Sequence, residues 1–275
     1  MNIKSIARRL VQVLGLAGPL SAPMDASSGT MPEQAPRNGF DMTRTRGSLA
    51  ESYALLKQLG FEPRTVIDVG VAAGTPTLYA TFPDAYLLLV EPLSMFEPQL
   101  QSILDTHRGS YVLAAAGAET GRVRFNVHTH YLEGSSLFKE AMGPEADGEE
   151  IEAPLIRLDD VVEERGLSGP FLIKVDVQGA ELEVLQGAPR TLAGAEAVAL
   201  EVSLFQFLKS APEFHEVIAF MKVRGFVAFD ILLAWNRPLD NALGQVDIVF
   251  VKENGRFRKD HSFATVEQMK ALFPA

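Results

Sequence analysis

The sequence contains no cysteine. That removes disulfides, thiolate metal sites and a cysteine nucleophile together, and it fits a reducing compartment, so a cytoplasmic location is expected. No apolar run reaches the roughly 18 residues that a membrane-spanning helix needs, so no integral span is expected either. Basic residues are the scarcer charge: 25 Lys and Arg stand against 35 Asp and Glu, a formal net charge of -10. Nucleic-acid binding needs a basic face to neutralise phosphates, which makes nucleic acid an unexpected partner. Only 22% of residues are charged against 47% hydrophobic, which excludes disorder throughout and describes a globular protein with a real core. The 275 residues suffice for one large domain, or one domain with an extension.

A further absence is a single glycine. The stretch Thr65-Val66-Ile67-Asp68-Val69-Gly70-Val71-Ala72-Ala73-Gly74 reads as a buried parallel strand that ends in an acid and turns tightly into a helix. Dinucleotide loops have the pattern G-x-G-x-x-G, whereas Gly70-x-x-x-Gly74 lacks the middle glycine that lets a backbone approach a pyrophosphate. Asp68 instead sets a carboxylate against the loop. A ligand with a cationic amino-acid end and a nucleoside suits that arrangement better than a bridging diphosphate, and S-adenosylmethionine is the common ligand of that description. Glu91 ends the next apolar run, Tyr86 to Val90, where doubly wound sheets hold a ribose diol.

Around this centre the chain divides into two parts. Residues 1–40 combine Ile3, Ile6, Leu10, Val13 and Leu14 at helical spacing with a Pro-, Ser- and Gly-rich linker from Gly18 to Gly39. The amphipathic stretch suits a packing or dimer-exchanging helix, a membrane-surface helix or a signal peptide ending near Ala22; secretion is the least favoured. Residues 41–275 are expected to form the main domain, opening with a helix capped by Ser48. Strands alternate with helices through Tyr111 to Ala115, implying a parallel, doubly wound core. Arg122 to His128 alternates like an antiparallel strand, and residues 142–150 read as an exposed loop. Ser135 and Ser136, in the turn between, suit either ligand hydrogen bonds or turn formation. His128 and His130 are expected at the surface.

The second strong stretch is Phe171-Leu172-Ile173-Lys174-Val175-Asp176-Val177-Gln178-Gly179-Ala180-Glu181. Asp176 ends a strand expected beside the first, so it should share the cleft of Asp68, and Lys174 points to the same face. A lysine between carboxylates reads equally as a structural ion pair or a catalytic group. Strands at Ala197 to Val202, Phe226 to Ile231 and Val246 to Val251 complete the chain, the last two separated by an irregular stretch with Trp235 and expected to pair antiparallel.

Lys174 to Ala188, with Val66 to Gly70, Val90-Glu91-Pro92, Gly134 to Leu137, Leu158-Asp159-Asp160 and Leu200-Glu201-Val202, resembles the FkbM family of methyltransferases over roughly Thr65 to Lys252. Gln178 stands where that family often has Glu. Ala116-Gly117-Ala118 stands where it often has an acid for the adenine, leaving that contact to the backbone. The resemblance implies a class I, Rossmann-like, mostly parallel seven-stranded sheet with an antiparallel terminal strand. It implies S-adenosylmethionine as cofactor, held by Asp68, Gly70 and Gly74 at its methionine part and by Glu91 at the ribose, with Ala72, Pro92 and Ala116 completing the set. Asp176 would sit at the methyl-transfer end, with Glu201 and Lys174 beside it. A divalent metal shared by these acids is compatible with them, though no metal site is assigned. The implied reaction is O-methylation of a sugar, glycolipid or secondary metabolite, the acceptor being a small molecule or glycan; a homo-oligomer is open. Two rivals stand beside it: a non-catalytic scaffold and a nicotinamide-dependent oxidoreductase.

Overall fold

A computed structural model describes residues 45–272. The amphipathic helix and linker expected over 1–40 lie outside the described residues.

Seven strands form the central sheet. Its first is β1 (Thr65–Val69), which buries all five residues and is flanked by β2 (Tyr86–Glu91) and β7 (Phe171–Val175), both parallel to it. Beyond β2 lies β3 (Gly109–Leu113), and beyond β7 lies β8 (Ala195–Ser203), again parallel. Two last strands, β9 (Phe226–Asn236) and β10 (Leu243–Lys252), pair antiparallel with each other. β10 inserts between β8 and β9, which gives the order β3-β2-β1-β7-β8-β10-β9. The chain order reverses between β1 and β7, and such switch points open a crevice at the carboxyl ends of the strands. This is the doubly wound sheet that the sequence implies.

Both faces of the sheet are covered, so its strands read as continuous apolar runs. On one face Ile67, Val69, Ile173, Val175 and Leu200 pack with helices α4 (Leu158–Glu164), α5 (Glu181–Gln186) and α7 (Phe214–Val223). On the other, Val66, Leu87, Leu89 and Leu172 meet α1 (Leu49–Gln58), α2 (Pro76–Thr81) and α3 (Glu97–Leu104). The Ser48 hydroxyl caps α1 by accepting from the Glu51 N–H at 3.3 Å. Arg46 and Ser52 then tie that helix to β9: the guanidinium grips both oxygens of Asp230 and the hydroxyl donates at 2.8 Å.

Some elements differ from the sequence reading. The third strand splits: β3 ends at Leu113, and β4 (Ala115–Ala116) joins a separate sheet with β5 (Gly121–Val127) and β6 (Glu149–Ile156) in the order β4-β6-β5. The acidic stretch after Met142, read as a loop to Glu150, thus enters strand β6. Cross-strand pairs hold it, Arg122 with Glu152 at 3.1 Å and Arg124 with Glu150 at 3.4 Å, and such pairs leave no apolar alternation to read. Trp235 lies within β9, so the two last strands are longer than their apolar centres. Pro189 opens the short helix α6 (Pro189–Ala193), where its missing N–H costs nothing.

The turn after β1 crosses the turn after β7. Gly70 has φ +76°, and a Cβ there would stand 1.8 Å from the carbonyl oxygen of Asp176. Gly70→Ala is therefore expected to cost ~3 kcal/mol through backbone displacement, lowering Tm by roughly 6–12 °C. Thermal unfolding of the variant checks this, and an unchanged Tm would mean the two turns are not in contact.

Candidate active site

The crevice at the switch point forms a partly open cleft. The turn after β1 supplies Gly70 and Ala72, the end of β2 supplies Glu91 and Pro92, β4 supplies Ala115 and Ala116, and the turn after β7 supplies Asp176. Phe125, Leu132 and Ser135 close it from the segment between β4 and β6. Its walls are mainly apolar with a few acids, as small-molecule sites are.

Glu91 is 4% exposed. One carboxylate oxygen accepts from the Ala72 N–H and the other from the Leu93 N–H, each at 2.9 Å. Burial outweighs these bonds and raises its carboxyl above the usual range. Ala72 lies at φ +44°, a conformation that alanine adopts only when its surroundings impose it; the bond to Glu91 fastens it.

Under the cleft floor runs a buried ion cluster. Asp68 and Lys174 are register partners on β1 and β7, so their side chains share one face. The Asp68 carboxylate is fully buried: Tyr79 donates to it at 2.6 Å and the Lys174 ammonium stands 3.4 Å away. Lys174 also reaches Asp176 at 3.5 Å. Burial alone would lower the lysine, but the two carboxylates outweigh it and hold the ammonium charged. Asp68 thus does not line the cleft, contrary to the direct contact the sequence implies. Asp176 does line it, with its side chain 36% exposed.

A second group of acids lies beside the first. Burial, followed by the charges of Asp176, Glu181 and Asp247, pushes Glu201 up to about 8. Burial likewise pushes Glu181 to about 7 and Asp247 to about 6. Glu201 faces an adjoining cavity rather than the cleft. Among the described residues no group of three His, Asp or Glu side chains is arranged to hold a metal ion.

The two serines part company. Ser135 lines the cleft, its hydroxyl accepting from the His128 N–H at 3.1 Å. Ser136 is fully buried and does not reach the cleft: its hydroxyl donates to the Gln178 carbonyl and accepts from the Phe138 N–H. Gly74 also stands back, its φ of +103° fitting it against Ile103 and Tyr79. His128, expected at the surface, turns its ring inward, 3.4 Å from buried Glu140. Sequence reasoning missed Tyr79 and Asp247. Tyr79 reads only as a member of a short helix and Asp247 as a polar interruption of a strand; their register beside Asp68 and Glu201 emerges from the pairing.

The sequence matches the methyltransferase FkbM domain over residues 68–228, more than half of the chain. The chain belongs to the FkbM methyltransferase family. It is an S-adenosylmethionine-dependent methyltransferase, which sets aside both the oxidoreductase and the non-catalytic scaffold. No curated protein matches it significantly. Similar solved structures include Aeropyrum pernix fibrillarin in complex with S-adenosyl-L-methionine, at 13% identity, 73% of this chain, 74% of that one and TM-score 0.41. Magnesium protoporphyrin IX methyltransferase from Synechocystis PCC 6803 with bound SAM is another, at 11%, 92%, 98% and 0.42. The strand order, rather than these distant likenesses, establishes the fold. The FkbM cleft fits its cofactor: Glu91 and Asp176 line an otherwise mainly apolar cleft, which suits a cationic sulfonium carrying a nucleoside.

Glu201 generates a pH prediction. Its folded value near 8 lies above the ordinary 4.5, so the stability linked to its proton is present at low pH and is lost as pH rises through about 8. Glu201→Gln keeps the accepting oxygen for Gln178 and Gln245 but carries no charge. Its Tm should rise relative to wild type between pH 6 and pH 9, by on the order of several °C at the upper end. Parallel Tm curves would show that Glu201 is ionised throughout.

Proposed function

We propose that the enzyme methylates a hydroxyl oxygen of a small-molecule or glycan acceptor, and that Asp176 takes or orients the hydroxyl proton. One observation supports this most: Asp176 is half-open to the cleft while its partners Asp68 and Lys174 are sealed beneath. S-adenosylmethionine supplies an electrophilic methyl group on a sulfonium. An aliphatic hydroxyl is a poor nucleophile, so a carboxylate within hydrogen-bond reach lowers the barrier, typically by ~10²–10⁴-fold in rate. In the transfer the acceptor O–H bond breaks, its proton passes to an Asp176 oxygen, and the acceptor oxygen gains the methyl group as the sulfonium becomes a thioether. The chain's further task is to hold that oxygen in line, about 3 Å from the methyl carbon.

Each residue follows from its place. Each Glu91 oxygen keeps a lone pair beyond its backbone bond, and those lone pairs accept the ribose hydroxyls. The Gly70 and Ala72 backbone lies against the methionine part, and Pro92 and Ala116 flank the adenine. Asp68 and Lys174 act through Asp176 and the turn above them. Glu201 stands beyond Asp176 on the acceptor side, and Ser135 meets the acceptor from the cleft wall. Residues 41–275 constitute the catalytic domain. No helix among the described residues is long and apolar enough to cross a membrane. A cytoplasmic location belongs to the same proposal.

Asp176→Asn should bind S-adenosylhomocysteine normally while turnover falls by about 10²-fold or more, measured with labelled donor on an acceptor found by screening hydroxylated compounds. Undiminished turnover would remove Asp176 from the chemistry. Glu91→Ala should instead weaken S-adenosylhomocysteine binding, by roughly tenfold or more for the loss of charge-assisted bonds.

A further inference from the structure

Two carboxyl groups on different strands share one amide. Gln178 follows β7 at φ +53°, a left-handed conformation that a residue other than glycine keeps only when its surroundings impose it. Its Nε2 lies 3.1 Å from Asp176 Oδ1 and 2.8 Å from Glu201 Oε2. A primary amide nitrogen carries two protons, so each carboxyl receives one. The backbone is anchored separately, the Gln178 carbonyl accepting from the Ser136 hydroxyl at 2.6 Å. The next residue is equally constrained: a Cβ on Gly179 would stand 2.8 Å from the Cβ of Ala211. The joined carboxyls face different spaces, Asp176 the donor cleft and Glu201 a small adjoining cavity, which Gln178, Ser203 and Gln245 also line.

We propose that Gln178 is a positioning residue that holds the Asp176 and Glu201 carboxyls at a fixed spacing across the wall between the cleft and the second cavity. The purpose assigned to that pair rests on the methyl-transfer reading of the site; the pairing itself rests on the geometry alone. An amide does not ionise at ordinary pH, so Gln178 sets the spacing of the acids without exchanging a proton itself. Lys174 faces the pair from β7, Glu181 from α5, Asp247 from β10 and Tyr131 from the segment after β5. Three of those four neighbours are acids or a phenol, so the amide N–H donated to Glu201 opposes their charge and eases its ionisation. The amide donor keeps the Asp176 carboxyl at the cleft and the Glu201 carboxyl at the second cavity, so that the group that takes the acceptor's proton stays in place.

The test is a ¹³C NMR titration of the full chain labelled at its Asp and Glu carboxyl carbons, comparing wild type with Gln178→Ala. Loss of the donor should raise the pH at which Glu201 ionises by roughly one unit. An unmoved midpoint with a lower Tm would leave Gln178 a turn residue and overturn the proposal. Gln178→Asn keeps a side chain tolerant of the left-handed turn but too short to reach both carboxyls, and it serves if the alanine variant does not fold. A raised midpoint in it supports the proposal, and an unmoved one overturns it. Wild-type binding of S-adenosylhomocysteine, measured alongside, reports on the donor cleft separately.

Discussion

A lysine ammonium buried between two carboxylates is the constraint on which the rest of this structure depends. Lys174 sits where β1 and β7 pair, 3.4 Å from Asp68 and 3.5 Å from Asp176. Removing either sign would leave an uncompensated charge under the sheet, a loss on the order of 3–5 kcal/mol. The cluster therefore fixes the register of the two strands whose ends form the cleft floor. It also sorts the acids: Asp68, donated to by Tyr79, is committed to structure, while Asp176 emerges into the cleft.

The turns above the cluster are built from tight approaches. Gly70 passes the Asp176 carbonyl with no room for a side chain, Ala72 is fastened to Glu91 in a left-handed conformation, and Gln178 is held the same way between two carboxyls. Such strained positions persist where the surroundings over-determine them, and they gather at the site that needs its groups held still. Burial then makes Glu181, Glu201 and Asp247 weaker acids than usual, so this side of the site is rich in carboxyl groups that ionise late.

Much of this was legible in the sequence. The runs ending in Asp68, Glu91 and Asp176 are apolar, and the first and third turn on a glycine, Gly70 and Gly179, a pattern that places three acids at the carboxyl ends of adjacent parallel strands. What the sequence hid were relations across strands. Asp68 and Asp176 look alike as strand-ending acids, yet only the second opens to the cleft. Ser135 and Ser136 are neighbours that face opposite ways, and only the hydrogen bonds of Ser136 to Gln178 and Phe138 tell them apart. Strand β6 opens on acids paired with Arg122 and Arg124 at the surface, which leave little hydrophobic period to detect. His128 finds Glu140 through a fold of the segment after β5 that no local spacing announces.

The central claim is that the cleft at the ends of β1, β2 and β7 is the seat of the methyl donor. Isothermal titration calorimetry of the purified protein with S-adenosylhomocysteine, with NADH titrated in parallel, tests it most directly. Binding of S-adenosylhomocysteine in the micromolar range with no heat from NADH is the result this account predicts. Binding of NADH alone, or no binding of either, would contradict it.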